Sequence, residues 1–461
     1  MDLLQLVKSI NDVLWNYVLL ILLLGTGIFF TCRLKFVQVR KFGEGFKRIF
    51  GGMNLKGKKA GSDGMSSFQA VATAIAAQVG TGNLAGAATA ITSGGPGAIF
   101  WMWLSAFFGM STIYAEAILA QVFRKKVDGE ITGGPAYYIS DGLKNKKLGK
   151  FLAGFFAIFC VIALGFMGNA VQANSISDAF RNAFGISPLV VGLIVAALAG
   201  FVFFGGMGRI ASVTEKIVPI MAGFYIVAAI IIVGMNGSHI LPALKSIFVG
   251  AFNPQAVMGG ALGVTIKHAV RYGVSRGLFS NEAGMGSTPH AHAVAKVKHP
   301  SQQGSVAIVS VFIDTFVILT LTALVILTSG ALEIEGLKGI ALTQKAFELT
   351  LGSFGQGFIA VCLLFFAFST IIGWYFFGEA NIKYMFGKKA INIYRVLVMI
   401  IVVIGSMMKV DLVWELADTF NGLMVFPNLI ALLALNGIVV KKMNEYEEIK
   451  DMINNDVDVN L

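Results

Sequence analysis

Gln78-Val79-Gly80-Thr81-Gly82-Asn83-Leu84-Ala85-Gly86 interrupts an otherwise apolar run over positions 66–100. Positions 68–79 read as helix and 84–91 resume it. The two glycines flanking Thr81 weaken the helix between them, because glycine costs a helix interior roughly 1 kcal/mol relative to alanine. Unwound backbone at membrane depth survives only where protein or a lined cavity satisfies its N–H and C=O groups. The half ending near Val79 then presents carbonyls, and the half starting near Leu84 presents N–H groups and the positive end of a helix dipole. One break can thus hold both a cation and an anion.

The surroundings are those of a membrane. Of 461 residues 56% are hydrophobic and only 13% charged, which excludes an ordinary soluble domain and predicts an all-α polytopic protein. The 54 glycines suit helices packed closely in lipid. Cys32, Cys160 and Cys362 lie in or beside apolar runs and predict neither a disulfide nor a metal site. Apolar windows place transmembrane helices near 12–32, 66–93, 97–123, 151–178, 188–206, 214–235, 257–299, 303–328, 354–383, 390–408 and 412–440, eleven in all. The first window has no small-residue cleavage motif and runs unbroken to Thr31, so it is expected to be retained as a span.

Orientation follows from the short loops. The 33–65 loop carries Arg33, Lys35, Arg40, Lys41, Lys47, Arg48, Lys56, Lys58 and Lys59, which predicts a cytoplasmic position. Counting helices from there places Arg124, Lys144, Lys296, Lys383 and Lys441 on the same side and the 329–353 loop outside. The expected topology has the N-terminus outside and the C-terminus in the cytoplasm of a cell-membrane protein. Basic inner loops against anionic lipid account for the net charge of +11, so no nucleic-acid partner is expected.

The 257–299 window is about 43 residues, roughly 65 Å as one straight helix, and must break. Gly277 to Ser287, with three glycines among small polar residues, is the expected place. The second and seventh helices are then both discontinuous and five helices apart. The chain parses as an N-terminal helix and basic loop (1–65), a first five-helix repeat (66–235), a second, inverted because its span number is odd (236–440), and a tail (441–461). Paired broken helices in two inverted halves point to the midplane site of a secondary transporter.

Three motifs in order, Gly80-Thr81-Gly82-Asn83-Leu84-Ala85-Gly86, Gly94-Gly95-Pro96-Gly97-Ala98 and Arg276-Gly277-Leu278-Phe279-Ser280-Asn281-Glu282-Ala283-Gly284, resemble the alanine or glycine:cation symporter family. The resemblance covers nearly the whole chain. It implies the five-plus-five fold shared with the bacterial leucine transporter, and import of a small neutral amino acid, alanine or glycine, with co-transported Na+ and no cofactor.

Candidate residues follow from both readings. Gly80, Thr81 and Gly82 either form a packing notch or open the binding site, and Asn83, by its match to the family position, is implied in both substrate and sodium binding. Phe279 and Ser280 sit where the resembling fold places a substrate-wall aromatic and a hydroxyl ligand near one sodium, with Asn281 as polar neighbour. Glu282 either binds a cation or caps the following half-helix. Ser369 and Thr370 lie on an apolar helix where hydroxyls ordinarily bond their own backbone. The resemblance instead makes them sodium ligands alongside the carbonyls of Ala76 and Val79. Trp374, one turn on, is either a pocket wall or an interfacial anchor. Gln78 and Gln172, the latter near Gly168, Asn169 and Asn174, either bond substrate or join helices.

Ionisable residues at membrane depth are functional candidates by default, here Glu116, Asp178, Lys267, Arg271, Asp314 and Glu379. Lys267 and Arg271 are expected to face water or to pair with Asp314 or Asp178. His268 reads as a hydrogen-bonded helix residue, and His290, His292 and His299 do not argue for metal. Gly52-Met53-Asn54-Leu55-Lys56-Gly57-Lys58-Lys59 has P-loop spacing but lacks the Ser or Thr and the flanking strand and helix. No nucleophile, base and orienter set is visible, so a membrane enzyme built on Glu282 or Asp314 is disfavoured and no catalytic residues are assigned. An ion or small-solute channel is the alternative, although a channel would repeat a pore element about an oligomeric axis, whereas this chain is expected to work as a monomer.

Overall fold

The computed structural model describes residues 3–51, 64–258 and 265–454. The P-loop-like run 52–59, positions 259–264 of the seventh window and positions 455–461 of the tail lie outside them. In chain order the helices are α1 (Leu3–Arg33), α2 (Phe42–Gly51), α3 (Ser67–Gln78), α4 (Ala87–Gly94, entered through a π turn at Gly82–Gly86), α5 (Ala98–Val122), α6 (Pro135–Gly142), α7 (Lys146–Phe184), α8 (Pro188–Phe203), α9 (Gly206–Met235), α10 (Ile240–Phe252), α11 (Ile266–Asn281), α12 (Pro289–Ala293), α13 (Pro300–Thr328), α14 (Gly339–Leu351), α15 (Ser353–Phe386), α16 (Lys388–Met407), α17 (Val410–Ala434) and α18 (Asn436–Asn454). Single-turn pieces at Val37–Arg40 and Pro254–Met258 accompany them. Among the described residues α1, α5, α7, α9, α13, α15, α16 and α17 are long and apolar enough to cross a bilayer, and α8 is a shorter apolar helix.

The two interrupted helices, α3–α4 and α11–α12, lie inside this shell. Every residue of α3 from Gln69 to Gln78 is buried, whereas Phe201 of α8, Phe224 of α9 and Ile400 of α16 point outward. A helix buried all round is what an interior position in a bundle requires. Ser66 starts α3 with a capping box, its hydroxyl accepting from Gln69 N at 3.1 Å while the Gln69 amide oxygen accepts from Ser66 N at 3.0 Å. The strand β1 (Met65–Ser66) pairs in parallel with a strand leaving α12, Ala295–Lys296, so the ends of the two broken helices are tied together. A hairpin between α5 and α6, Lys125–Val127 with Glu130–Thr132, turns at Asp128 and Gly129, both at positive φ (51° and 83°), as a tight Asp-Gly hairpin demands.

The first break is where expected, with Val79 extended (φ −80°, ψ 94°) beyond the end of α3. The second falls within the expected Gly277 to Ser287 stretch, but not at its start. The helix runs through Gly277 to Asn281 and opens only at Glu282, with Glu282, Gly284 and Gly286 at positive φ of 59°, 87° and 82°. Gly273 and Gly277 serve the approach to α5: a Cβ at 273 would fall 2.5 Å from the Ala98 carbonyl oxygen, and one at 277 would fall 3.3 Å from Ser105 Oγ. The helix does not start at 257. Thr265 caps it, its hydroxyl accepting from His268 N at 3.4 Å, and the His268 ring returns to Thr265 N at 3.3 Å. Within the expected 329–353 loop, α14 docks on the first break, Thr343 Oγ1 donating to the Leu84 carbonyl at 2.9 Å. It partners a carbonyl within the π turn.

Candidate functional site

The first break brings α3 against α15. Thr370 Oγ1 lies 3.0 Å from the Ala76 carbonyl oxygen and 3.3 Å from that of Val79, and Ser369 Oγ lies 3.3 Å from the same Ala76 oxygen. Both hydroxyls also bond Phe366 O, at 3.1 and 2.8 Å, so the ordinary backbone interaction and the convergence on α3 coexist. Two hydroxyls and two carbonyls gathered at an unwound segment form an oxygen cage suited to a hard monovalent cation. The fit depends on Gly80, where a Cβ would sit 2.3 Å from Thr370 Oγ1.

The second oxygen group is centred on a carboxylate. Asp314 accepts from Asn83 Nδ2 at 2.7 Å, from Ser280 Oγ at 2.9 and 3.0 Å, and from Thr315 Oγ1 at 2.9 Å. Asn83, Ser280, Asp314 and Thr315 are all fully buried. Asn83 and Asp314 both lie in π-helical stretches, Gly82–Gly86 and Phe312–Leu319, whose wider turn displaces side chains from the regular helical face. Asn281 joins the group through Thr315 Oγ1 at 3.2 Å.

Between the breaks, Gln78 Nε2 donates to the Asn281 carbonyl at 2.7 Å and Gln172 Oε1 accepts from Thr81 N at 3.1 Å. The Thr81 N–H therefore already has a partner. Asn83 N, at 3.3 Å from Gly80 O, also has one. Three of the buried side-chain atoms that have no partner among the described residues lie here: Gln78 Oε1, Thr81 Oγ1 and Gln172 Nε2. Buried polar atoms are almost always hydrogen-bonded, so orphans beside an unwound segment need an account. Gly82 brings the two breaks together, since a Cβ there would stand 2.9 Å from Ser280 Cα.

Phe279 and Trp374 meet edge to face with ring centroids 5.3 Å apart. The Trp374 indole N–H donates to Glu282, which also accepts from Ser287 Oγ at 2.5 Å. Trp374 is 1% exposed and sits well inside α15, so it is not an interfacial anchor. Glu282 occupies the αL position that ends α11, and its carboxylate bonds Trp374 and Ser287 instead of capping α12. Above Phe279 lies Trp414, at 4.8 Å, with the Arg276 guanidinium 4.7 Å over its ring and Arg276 paired to Asp418 at 2.6 Å. Trp414 and Arg276 in turn line a cavity of about 460 Å³ with Thr89, Asp178 and Lys338. A second cavity, of about 260 Å³, opens among Glu130, His290, Lys383 and Arg395.

The remaining candidates are structural partners. Asn174 Nδ2 ties α7 to the end of α16 through Gly405 O and Met408 O, at 3.0 and 2.7 Å. Lys267 and Arg271 pair with neither Asp314 nor Asp178: Lys267 reaches Tyr17 Oη at 3.0 Å, Arg271 reaches Asp12, and Asp178 binds Arg181 at 2.7 Å. The sequence offered no position for α1, which brings Asp12 and Tyr17 against α11. Glu379 lies 3.6 Å from Arg395. Glu116 accepts from Gly284 N, Gly286 N and Asn428 Nδ2 at 3.1, 2.9 and 2.6 Å and so holds the second break open. Asp418, Trp414 and Thr315 were not legible as site residues, although an acid at membrane depth was the available signal for Asp418.

Compared with known proteins, residues 1–459 match the Sodium:alanine symporter family. The chain is 44% identical to the sodium/alanine symporter AgcS of Methanococcus maripaludis over 98% of both chains. It is 43% identical to the probable sodium/glutamine symporter GlnT of Bacillus subtilis, over 96% of this chain and 90% of that one. In fold it is similar to the solved structure of an Eremococcus coleocola manganese transporter in complex with an aromatic bis-isothiourea substituted compound, with a TM-score of 0.50 at 14% identity over 81% of this chain and 78% of that one. Matched from end to end and carrying the two discontinuous helices, the chain belongs to the sodium:alanine symporter family and is a multi-pass, sodium-coupled membrane transporter, not an enzyme.

Proposed function

We propose that this protein imports a small neutral amino acid, alanine or glycine, together with Na+ by alternating access. The observation that carries the reading is the trio of unpartnered buried polar atoms, Gln78 Oε1, Thr81 Oγ1 and Gln172 Nε2, on side chains that meet at the helix breaks. An amino acid has the donors and acceptors these atoms need. Its ammonium meets Gln78 Oε1 and Thr81 Oγ1, and its carboxylate accepts from Gln172 Nε2 and the N-terminal end of the π turn at Gly82. One Na+ is held by Ala76, Val79, Ser369 and Thr370, and a cation between Asn83, Ser280, Asp314 and Thr315 neutralises the buried carboxylate. Phe279 and Trp374 face the substrate side chain.

In the same reading the chain has eleven spans, a first repeat at 66–235 and an inverted second at 236–440, and works as a monomer with its N-terminus outside and its tail in the cytoplasm. The basic 33–65 loop supports that orientation. Purified protein in liposomes decides the function: labelled alanine should accumulate above its outside concentration when Na+ is high outside, saturably, and should not when K+ replaces Na+. Flux that never saturates and never exceeds equilibration would replace this reading with a channel.

A further inference from the structure

Trp374 is held from two sides by residues that need not touch a substrate. On one side its indole N–H donates to Glu282, whose carboxylate is oriented by the Ser287 hydroxyl at 2.5 Å. On the other, its six-membered ring lies against Gly168, the last residue of the π-helical stretch Val161–Gly168 in α7. A Cβ at position 168 would fall 2.3 Å from Trp374 Cζ3 and 2.5 Å from Cε3, a separation no side chain tolerates. Phe279 abuts the ring on its edge, with centroids 5.3 Å apart. The indole is thus fixed in position and in rotation about its long axis: the hydrogen bond sets which way the ring faces, and the missing side chain sets how deep it sits.

We propose that Gly168 and Glu282 are the positioning residues that set the size limit of the transported amino acid, by holding Trp374 at one depth and one rotation. The inference rests on the reading that Trp374 walls the substrate pocket. It assigns Glu282 a role as hydrogen-bond acceptor, in which its charge is incidental. The two residues act in opposite directions. Filling position 168 drives the ring toward Phe279 and shrinks the pocket, whereas removing the acceptor at 282 lets the ring turn away and enlarges it.

The test is competition by unlabelled glycine, alanine, valine and leucine against labelled alanine in Na+-driven uptake by reconstituted protein. Glu282→Leu should raise the potency of valine relative to alanine about tenfold, the scale of one or two methylenes in an apolar pocket. Glu282→Gln keeps an oxygen acceptor for the indole and should retain the native ranking. Gly168→Ala should shift preference toward glycine by about tenfold, and adding Trp374→Phe, which removes the crowded ring edge, should restore alanine uptake. Should Glu282→Leu fail to fold, Gly168→Ala with its second-site rescue decides the matter by itself. Glu282→Gln behaving like Glu282→Leu, or Gly168→Ala leaving the ranking unchanged, overturns the proposal. Trp374→Ala separates the two levels: if it leaves the ranking unchanged the pocket-wall reading itself fails, and if it alone changes the ranking only the positioning role is lost.

Discussion

The Ser280 hydroxyl donates to both carboxylate oxygens of Asp314, at 2.9 and 3.0 Å, and so joins α11 just before its break to the π-helical part of α13. Asn83 reaches the same carboxylate from the other broken helix at 2.7 Å. A buried anion shared by both discontinuous helices is where a cation would couple their movements. Asp314→Asn, which keeps the shape and removes the charge, should raise the Na+ concentration for half-maximal uptake about tenfold or more, as expected for loss of a charged interaction. Sodium titration of alanine uptake reads this directly, and an unchanged midpoint would remove Asp314 from the cation path.

Ser369 and Thr370 make the second test. The double change Ser369→Ala and Thr370→Ala deletes two of four converging oxygens and should weaken the dependence on Na+ more than the affinity for alanine measured at saturating Na+. Each lost ligand is worth about 1 kcal/mol, so a rise of roughly thirtyfold in the Na+ midpoint is expected for the pair. Equal losses in both quantities would make the hydroxyls packing groups.

Gly80 should tolerate no side chain. With a Cβ 2.3 Å from Thr370 Oγ1 and 3.0 Å from Gln172 Oε1, Gly80→Ala must push apart α3, α7 and α15 at the site. Overpacking of this kind costs about 1–3 kcal/mol. Uptake should fall at least about tenfold while the variant still elutes as a single folded species in detergent, and normal uptake would mean the break relaxes without consequence.

Arg276, which lines the 460 Å³ cavity, and Asp418 form an ion pair with side chains only 4% and 8% exposed. Removing one partner of such a pair strands a buried charge and costs about 3–5 kcal/mol, whereas exchanging both retains it. Asp418→Asn should therefore lower the thermal unfolding midpoint more than Asp418→Arg combined with Arg276→Asp. A double variant no more stable than the single one would show that position, and not pairing, matters.

Orientation is checked by labelling in a background without native cysteines. Lys47→Cys should be shielded from an impermeant maleimide in intact cells and Glu335→Cys should react; both positions are exposed on the protein. The reverse pattern would invert the charge-based topology.

How much of this was readable in the chain follows from where the cause lies. The break at Gly80 and Gly82 was legible because its cause is local: glycines weaken a helix interior wherever they stand. The apolar windows were legible for the same reason, since a bilayer selects length and composition residue by residue. The meeting of Ser369 and Thr370 with Ala76 and Val79 was carried by resemblance, not by spacing. The second break was bracketed at Gly277 to Ser287 but not pinned within it, because a glycine that unwinds a helix and one that lets a neighbour approach look alike in sequence. Gly277 is the latter, since a Cβ there would stand 3.3 Å from Ser105 Oγ, while Gly284 and Gly286 are the former, their N–H groups held by Glu116. Likewise Asp314 had several eligible partners, and only packing chose Asn83, 231 positions away, over Lys267 and Arg271, which α1 had already engaged. The sequence by itself determined a bundle of membrane helices with an open stretch of backbone at its centre. Tertiary structure decided which side chains close on that stretch, because partner choice among buried polar groups depends on distances between helices that no local pattern encodes.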